Sequence, residues 1–255
     1  MRIKESILNF ILKKILNSNL TYTELLNYSK SNNKKEHKNI KKEINLFSEN
    51  ELYKNGSIYA TGEMNLLEKN GEWKYFFKNG NIQKIIIHDK GKDFLKEEYY
   101  ESGELFKKHF ISDLKEKITE TYYITGEIFS IRVLPEYFKT DTDNYFEYIF
   151  YINGNLKEKK RVIGNKLVGS YELYREDGIL LKKTFYLKDG EIDGNETVYY
   201  ENGNTYKTID YLKNVKQGFE KTFFENGQLA EVSIFSKNEL VHTLAKFNEK
   251  GEKIG

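Results

Sequence analysis

Gly56, Gly80, Gly103, Gly126, Gly154, Gly178, Gly203, Gly227 and Gly251 follow one another at 24, 23, 23, 28, 24, 25, 24 and 24 residues. Most are preceded by Asn, Asp or Ser. A chain that reverses this often has no room for long helices, and a fixed period near two dozen residues is the mark of a repeat array. Three further features keep the same phase. Four residues before the glycines stand Leu52, Phe76, Tyr99, Tyr122, Phe150, Tyr174, Tyr199, Phe223 and Phe247. The next position holds Tyr53, Phe77, Tyr100, Tyr123, Tyr151, Arg175, Tyr200, Phe224 and Asn248. Two residues after most glycines an apolar side chain returns, as in Ile58, Ile82, Leu105 and Leu229.

Each period reads as a hairpin. Asn-Gly between extended segments favours a two-residue type I′ turn, in which both central residues take positive φ. Asn79-Gly80, Asn153-Gly154, Asn202-Gly203 and Asn226-Gly227 fit this best, with Asp177-Gly178 close behind. A second punctuation follows eleven or twelve residues later, at Lys90-Gly91, Gly164-Asn165, Asp189-Gly190, Lys213-Asn214 and Lys237-Asn238. Two turns per unit mean two strands per unit, hence an elongated antiparallel β-meander or solenoid of roughly sixteen to eighteen strands. Adjacent aromatics point to opposite faces of a strand, so the row from Phe76 to Phe247 is expected to run as a ladder across units. Lys84, Lys107, Glu158, Lys182, Lys207 and Glu231, each four after its glycine, are expected in water.

Residues 1–50 read differently. Ile3, Ile7, Ile11 and Ile15 recur at helical spacing, Thr21 and Glu24 form a capping box, and Ile40, Ile44 and Phe47 suggest a third helical piece. We expect a small α-helical cap over residues 1–50, with the β-array over 51–255. The head carries ten basic and five acidic residues, +5, against a whole-chain charge of +2, which leaves the body at −3.

The chemistry of enzymes is sparse. The absence of cysteine excludes disulfides and thiolate sites. His88 and His109 lack a patterned carboxylate or third ligand and read as sheet histidines, and the Thr140–Asn144 segment TDTDN lacks the glycine and glutamate of a calcium loop. The spaced glycines are turn residues, not phosphate cradles. No cofactor, metal site or catalytic set is expected. The N-terminal apolar run is broken by Lys13 and Lys14, no cleavage site follows and no stretch has the length of a membrane span. A cytoplasmic location is the expectation.

The segment GEWKYFFKNGNI, Gly71 to Ile82, and the unit ENGQLAEVSIFSKNELVHTLAKFNEKG resemble the bacterial variant of the MORN repeat. Its pattern is a Gly-x-Trp/Tyr segment, then an aromatic pair, a polar residue and Asn-Gly-x-Leu. The resemblance runs in phase over about residues 51–251, although Phe94, Lys117, Tyr145 and His242 replace the first glycine. It implies a sheet of successive hairpins and a protein-binding role, of the kind ascribed to antitoxins or immunity proteins that occlude a toxin. A scaffold or membrane-surface adaptor, and a DNA-binding head on an autoregulating antitoxin, are the alternatives.

The array breaks once, where the spacing grows to 28 and the single proline, Pro135, falls. This irregular unit with its insertion, 127–153, either covers a packing gap or presents a contact loop. In the second case Leu134, Tyr137 and Phe138, flanked by Arg132 and Lys139, are the anchors. The aromatic faces of Trp73, Phe77 and Tyr100 complete the expected partner-binding set. An uncapped terminal edge would also allow a homodimer.

Overall fold

The computed structural model describes residues 46–65, 68–89, 92–135 and 144–255. These divide into two compact units. The first contains β1 (Leu46–Leu52), β2 (Ile58–Asn65), β3 (Glu68–Phe76), β4 (Ile82–Asp89), β5 (Lys92–Tyr99), β6 (Leu105–Ile111), β7 (Lys117–Tyr122) and β8 (Ile128–Leu134). Each strand pairs antiparallel with the next. The second contains β9 (Asn144–Phe150), β10 (Leu156–Ile163), β11 (Lys166–Leu167), β12 (Gly169–Tyr174), β13 (Leu180–Tyr186), β14 (Gly194–Tyr199), β15 (Thr205–Leu212), β16 (Val215–Phe223), β17 (Leu229–Ser236) and β18 (Glu239–Lys246). Here too the pairing is antiparallel and sequential, except that β10 pairs with both β11 and β12. The expected meander of hairpin repeats is therefore what forms.

The helical cap lies outside the described residues as far as residue 45. Phe47, expected in its third helical piece, belongs instead to β1, where it pairs with Met64 of β2. The apolar spacing of Ile40, Ile44 and Phe47 is short enough to be met by chance, and the exposed edge of β2 supplies a strand partner that periodicity does not reveal.

The principal turns differ from expectation in type. At Asn79-Gly80, the Gly80 N–H donates to the Phe77 carbonyl at 3.0 Å, and the Phe77 N–H donates to the Asn81 carbonyl at 2.8 Å. This is a type I turn closed by a left-handed residue, a three-residue loop with a bulge. A second irregularity follows further along the hairpin, where the register shifts between Tyr75 and Phe76 and β4 carries Gln83 as an extra residue. Only the glycine needs positive φ, and the turn glycines lie between 81° and 112°. True two-residue I′ turns form at three of the second punctuations, Gly164-Asn165 (55°, 65°), Lys213-Asn214 (50°, 68°) and Lys237-Asn238 (51°, 70°), whereas Asp189-Gly190 repeats the type I turn of the first kind.

The Asn of the first turn, relieved of a left-handed backbone, works through its side chain. Asn79, Asn202 and Asn226 accept the N–H two residues on at 2.9 Å through Oδ1. Their Nδ2 groups donate to the next turn, Asn79 to the Glu101 carbonyl (3.1 Å), Asn202 to Glu225 (2.9 Å) and Asn226 to Glu249 (3.0 Å). A parallel line of bonds uses the second aromatic. Tyr53, Tyr100, Tyr151 and Tyr200 donate their hydroxyls to the carbonyls of Phe76, Tyr122, Tyr174 and Phe223 at 2.7–3.0 Å. Those acceptors belong to the first aromatic of the following repeat. The cross-unit ladder is thus hydroxyl to backbone, not ring on ring. Rings meet within a hairpin, edge to face, in Tyr53–Tyr59, Tyr100–Phe106, Tyr123–Phe129 and Tyr200–Tyr206 at 5.0–5.3 Å.

One consequence can be measured. Tyr200→Phe keeps the ring contact but leaves the Phe223 carbonyl without this donor, and is expected to lower stability by about 1 kcal/mol in urea unfolding. A change below about 0.3 kcal/mol would mean that the hydroxyl bond between repeats adds nothing.

Candidate interaction surface

The sheet's two faces are chemically unlike. Direct cross-strand partners share a face, which places Trp73, Tyr75, Lys84 and Ile86 together in the first unit. Trp73, Tyr75 and Ile86 with Ala60 form a small core, onto which Tyr59 and Met64 pack. The Trp73 ring lies against Gly62: a Cβ there would come within 2.5 Å of three ring atoms. Its Nε1 donates to the Glu63 carbonyl at 2.9 Å, and the Lys69 ammonium sits 4.0 Å above the ring centroid.

The row four residues after each turn is not in open water as expected. Lys107 is paired with Glu98 at 4.0 Å, Lys182 with Glu196 at 2.6 Å, Lys207 with Glu220 at 3.2 Å and Lys246 with Glu231 at 3.3 Å. A polar residue at an inward position is tolerated because the neighbouring strand presents the opposite charge. Glu196 is buried, and its carboxylate also accepts the Thr184 hydroxyl at 3.0 Å. At Glu220 burial works against ionisation, but hydrogen bonds from Lys216 and Lys207 outweigh it and hold the carboxyl below its usual range. Glu120 shows the reverse balance: burial dominates over the Tyr122 hydroxyl and Lys108, and its pKa is raised.

The expected contact residues divide three ways. Trp73, at 0% exposure, cannot meet a partner; the aromatic that periodicity made conspicuous is spent on the core. Tyr100 is half-buried with its hydroxyl and ring both used inside the array, and Phe77 is likewise half-buried beside its turn. Arg132 is exposed on β8, next to a half-buried Leu134 and a buried Pro135 just past the strand end. Tyr137, Phe138 and Lys139 lie outside the described residues. Gly56, Gly80, Gly103, Gly154, Gly178, Gly203 and Gly227 hold turns, as read from the sequence. His109 bonds the Thr119 hydroxyl across the strand pair at 2.8 Å, a sheet role.

Two features of the second unit escape a reading by period. On the face opposite Glu196 and Glu220, Phe185 and Phe219 remain 49% and 44% exposed. Strand alternation places them there, each adjacent in sequence to a residue of the ion-paired face. On β18, Leu240 and Val241 are 57% and 62% exposed. The other feature is a recess of about 410 Å³ over β9, β10 and β12. It opens because β10 turns back through the short β11, so that only Glu158 and Lys159 of β10 pair with β12. Tyr145, Tyr171 and Tyr186 line it, with Glu147, Glu158 and Lys160. Residues with these functions could have been noticed only by knowing where the pairing changes. Among the described residues no group of His, Asp and Glu could hold a metal ion, and no helix is long and apolar enough to cross a membrane.

With this geometry in place, comparison with known proteins is informative about the repeat. Residues 69–90 and 192–213 match the family described as MORN repeat variant. The first stretch carries Trp73 and the Asn79-Gly80 turn, the second the Asn202-Gly203 turn. No curated protein matches. Among solved structures the chain is similar to chains in the crystal structures of TcdB2-TccC3 and TcdB2-TccC3-Cdc42, at 10% and 11% identity and a TM-score of 0.25 in each case. The match covers 81% of this chain and 13% of each of those chains, and a similarity of that size carries no functional weight.

The Trp73 seat and the ion-paired face each make a prediction. Gly62→Ala, which forces the ring off its backbone, is expected to cost about 1–3 kcal/mol and to blue-shift or red-shift the single tryptophan's fluorescence; an unchanged spectrum and stability would contradict the seat. For Glu220, a folded pKa below the unfolded value stabilises above about pH 4.3 and loses that contribution as pH falls through the folded value. Glu220→Gln should therefore be less stable than the parent near neutrality, with the difference shrinking as denaturation is followed down to about pH 3. A gap that stays constant with pH would show that the carboxylate's charge is not what stabilises.

Proposed function

We propose that the chain is a protein-binding repeat module, and that it acts by covering a partner's surface with no covalent chemistry of its own. The observation that carries this reading is the exposure of Phe185 and Phe219, on the face opposite Glu196 and Glu220. Large apolar side chains held in water by a rigid sheet supply anchors of the kind that dominate binding energies when desolvated. Charged neighbours accompany them: the Lys221 ammonium lies 5.8 Å from the Phe219 ring centroid, and Lys183 is exposed beside Phe185. Apolar anchors rimmed by charge suit an interface whose charges guide encounter and whose rings provide adhesion. The finer proposal is that the partner is a toxin whose working surface is occluded; it rests on the resemblance to the variant MORN repeat.

Tagged wild-type protein and a Phe185→Asp/Phe219→Asp double variant, used as baits in extract from the native cell, provide the test, with partners identified by mass spectrometry. The expected result is one stoichiometric partner, bound at least tenfold more weakly by the variant, while both baits unfold at the same temperature. Equal capture by the two would sink the assignment of this face. For the toxin reading, expression of the captured partner alone should arrest growth, and coexpression of the full chain should restore it.

A further inference from the structure

We propose that the face bearing Phe185 and Phe219 receives an extended acidic segment of a partner protein, with two carboxylates about four residues apart, each next to a large apolar side chain. The inference rests on the protein-binding reading and names the chemistry that the same face would recognise. Its first support is a row of directly opposed residues. Lys159, Glu172, Lys183, Thr197, Thr208 and Lys221 stand opposite one another in turn across β10, β12, β13, β14, β15 and β16, and so share a face. The row runs on into Tyr148 at one end and Val232 at the other, neither of them charged. Three ammonium groups thus face a single carboxylate. Glu172 takes up two of them, Lys159 and Lys183, at 3.3 Å each. Burial works against its ionisation, but the Tyr174 hydroxyl and these two lysines outweigh it and hold the carboxyl below its usual range. It therefore counts as one full negative charge. Lys221 meets no carboxylate among the described residues, and its ammonium lies 5.8 Å from the Phe219 ring centroid. The row keeps a surplus of two positive charges.

Strand geometry supplies the spacing. Phe185 follows Lys183 by two residues and Phe219 precedes Lys221 by two. Because β13 and β16 run in opposite directions, both rings fall on the same side of the charged row. Lysine and ring are therefore offered as two matched pairs, three strand spacings apart, which is about 14 Å. An extended chain crossing the strands covers that distance in about four residues. An even spacing points both carboxylates the same way, towards the lysines, and the residue after each points towards the rings. Charge then guides the segment in, and desolvation of the rings holds it. Thr197 and Thr208 fill the two positions between the lysines and are short enough to let a backbone pass over them. In the ring row Asp210 is also a carboxylate, but the Asn195 amide and the Phe219 N–H, at 2.8 Å, take up its oxygens. A strand of nucleic acid fits less well, since its phosphates are closely spaced and Glu172 and Asp210 break up the run of cations.

The test uses the peptide fluorescein-Asp-Phe-Ser-Ser-Asp-Phe-Ser-amide and the full chain, with binding followed by fluorescence anisotropy. One control peptide carries Asn for both Asp, and a second has the same composition with the two Asp adjacent. The probe is expected to bind saturably, the Asn control at least tenfold more weakly and the adjacent-Asp control at least threefold more weakly. Lys221→Glu and Phe219→Ala should each weaken the probe at least fivefold. Lys188→Glu, the same charge change at an exposed turn lysine, should leave it unaltered. Equal binding of the Asn control overturns the proposal. So does an effect of Lys221→Glu no larger than that of Lys188→Glu, in variants whose thermal unfolding is unchanged. Tighter binding of an octathymidylate than of the probe would overturn it in favour of nucleic acid. Should Phe219→Ala fail to fold, Lys221→Glu decides alone. A cellular partner lost by the Phe185→Asp/Phe219→Asp bait but held unchanged by a Lys221→Glu bait would remove the acidic segment and leave the protein-binding reading intact.

Discussion

Every repeat depends on a left-handed glycine that closes a type I turn and so frees its neighbours' side chains to bond the next repeat. With Gly80 at φ 90°, Asn79 is spared that conformation and spends Oδ1 on its own turn and Nδ2 on the Glu101 carbonyl. The same turn presents the second aromatic at the point where its hydroxyl reaches the following strand, as Tyr200 reaches Phe223 at 2.7 Å. Where the second aromatic is missing, another group takes up the connection: Arg175 spans to Glu201 at 2.6 Å. Each such bond contributes only about 1 kcal/mol. Repeated along a nearest-neighbour array, however, they align successive hairpins one after another.

Thin sheets lack the depth for a large apolar core, and this chain substitutes charge. The first unit keeps a tryptophan-centred cluster, while the second relies more on carboxylates between lysines, such as Glu172 held by Lys159 and Lys183 at 3.3 Å each. Exposed ion pairs are worth little, about 0–1 kcal/mol apiece. Half-buried pairs that also accept hydroxyls are a different matter, because removing one partner strands the other charge. Phe185 and Phe219 stand in water on the face opposite the pairs made by Glu196 and Glu220.

Much of the fold was legible. Period, hairpins, strand count and turn glycines all followed from Asn-Gly spacing and alternating aromatics, since hairpin formation depends on residues close in sequence. The turn type was not, because a type I turn with a bulge and a type I′ turn both welcome Asn-Gly. The loop hydrogen bonds that separate them involve Phe77 and Asn81 at either end. Trp73 was read as a contact residue and proved to be core, for exposure depends on whether Gly62 stands across from it. Lys182 and Lys207 looked solvated, because a polar letter at an inward position announces nothing about the Glu196 or Glu220 on the adjoining strand.

Sequence by itself determined where this chain reverses and hence that it folds as successive antiparallel hairpins, because left-handed backbone at a glycine is a local property. Tertiary structure alone decided which aromatics are buried, which charges are matched, and where a recess opens. Those outcomes depend on the register between strands, and at β10 on a change of partner from β11 to β12. No pattern of single residues encodes that change, since it is settled by which backbone groups find each other once the hairpins pack.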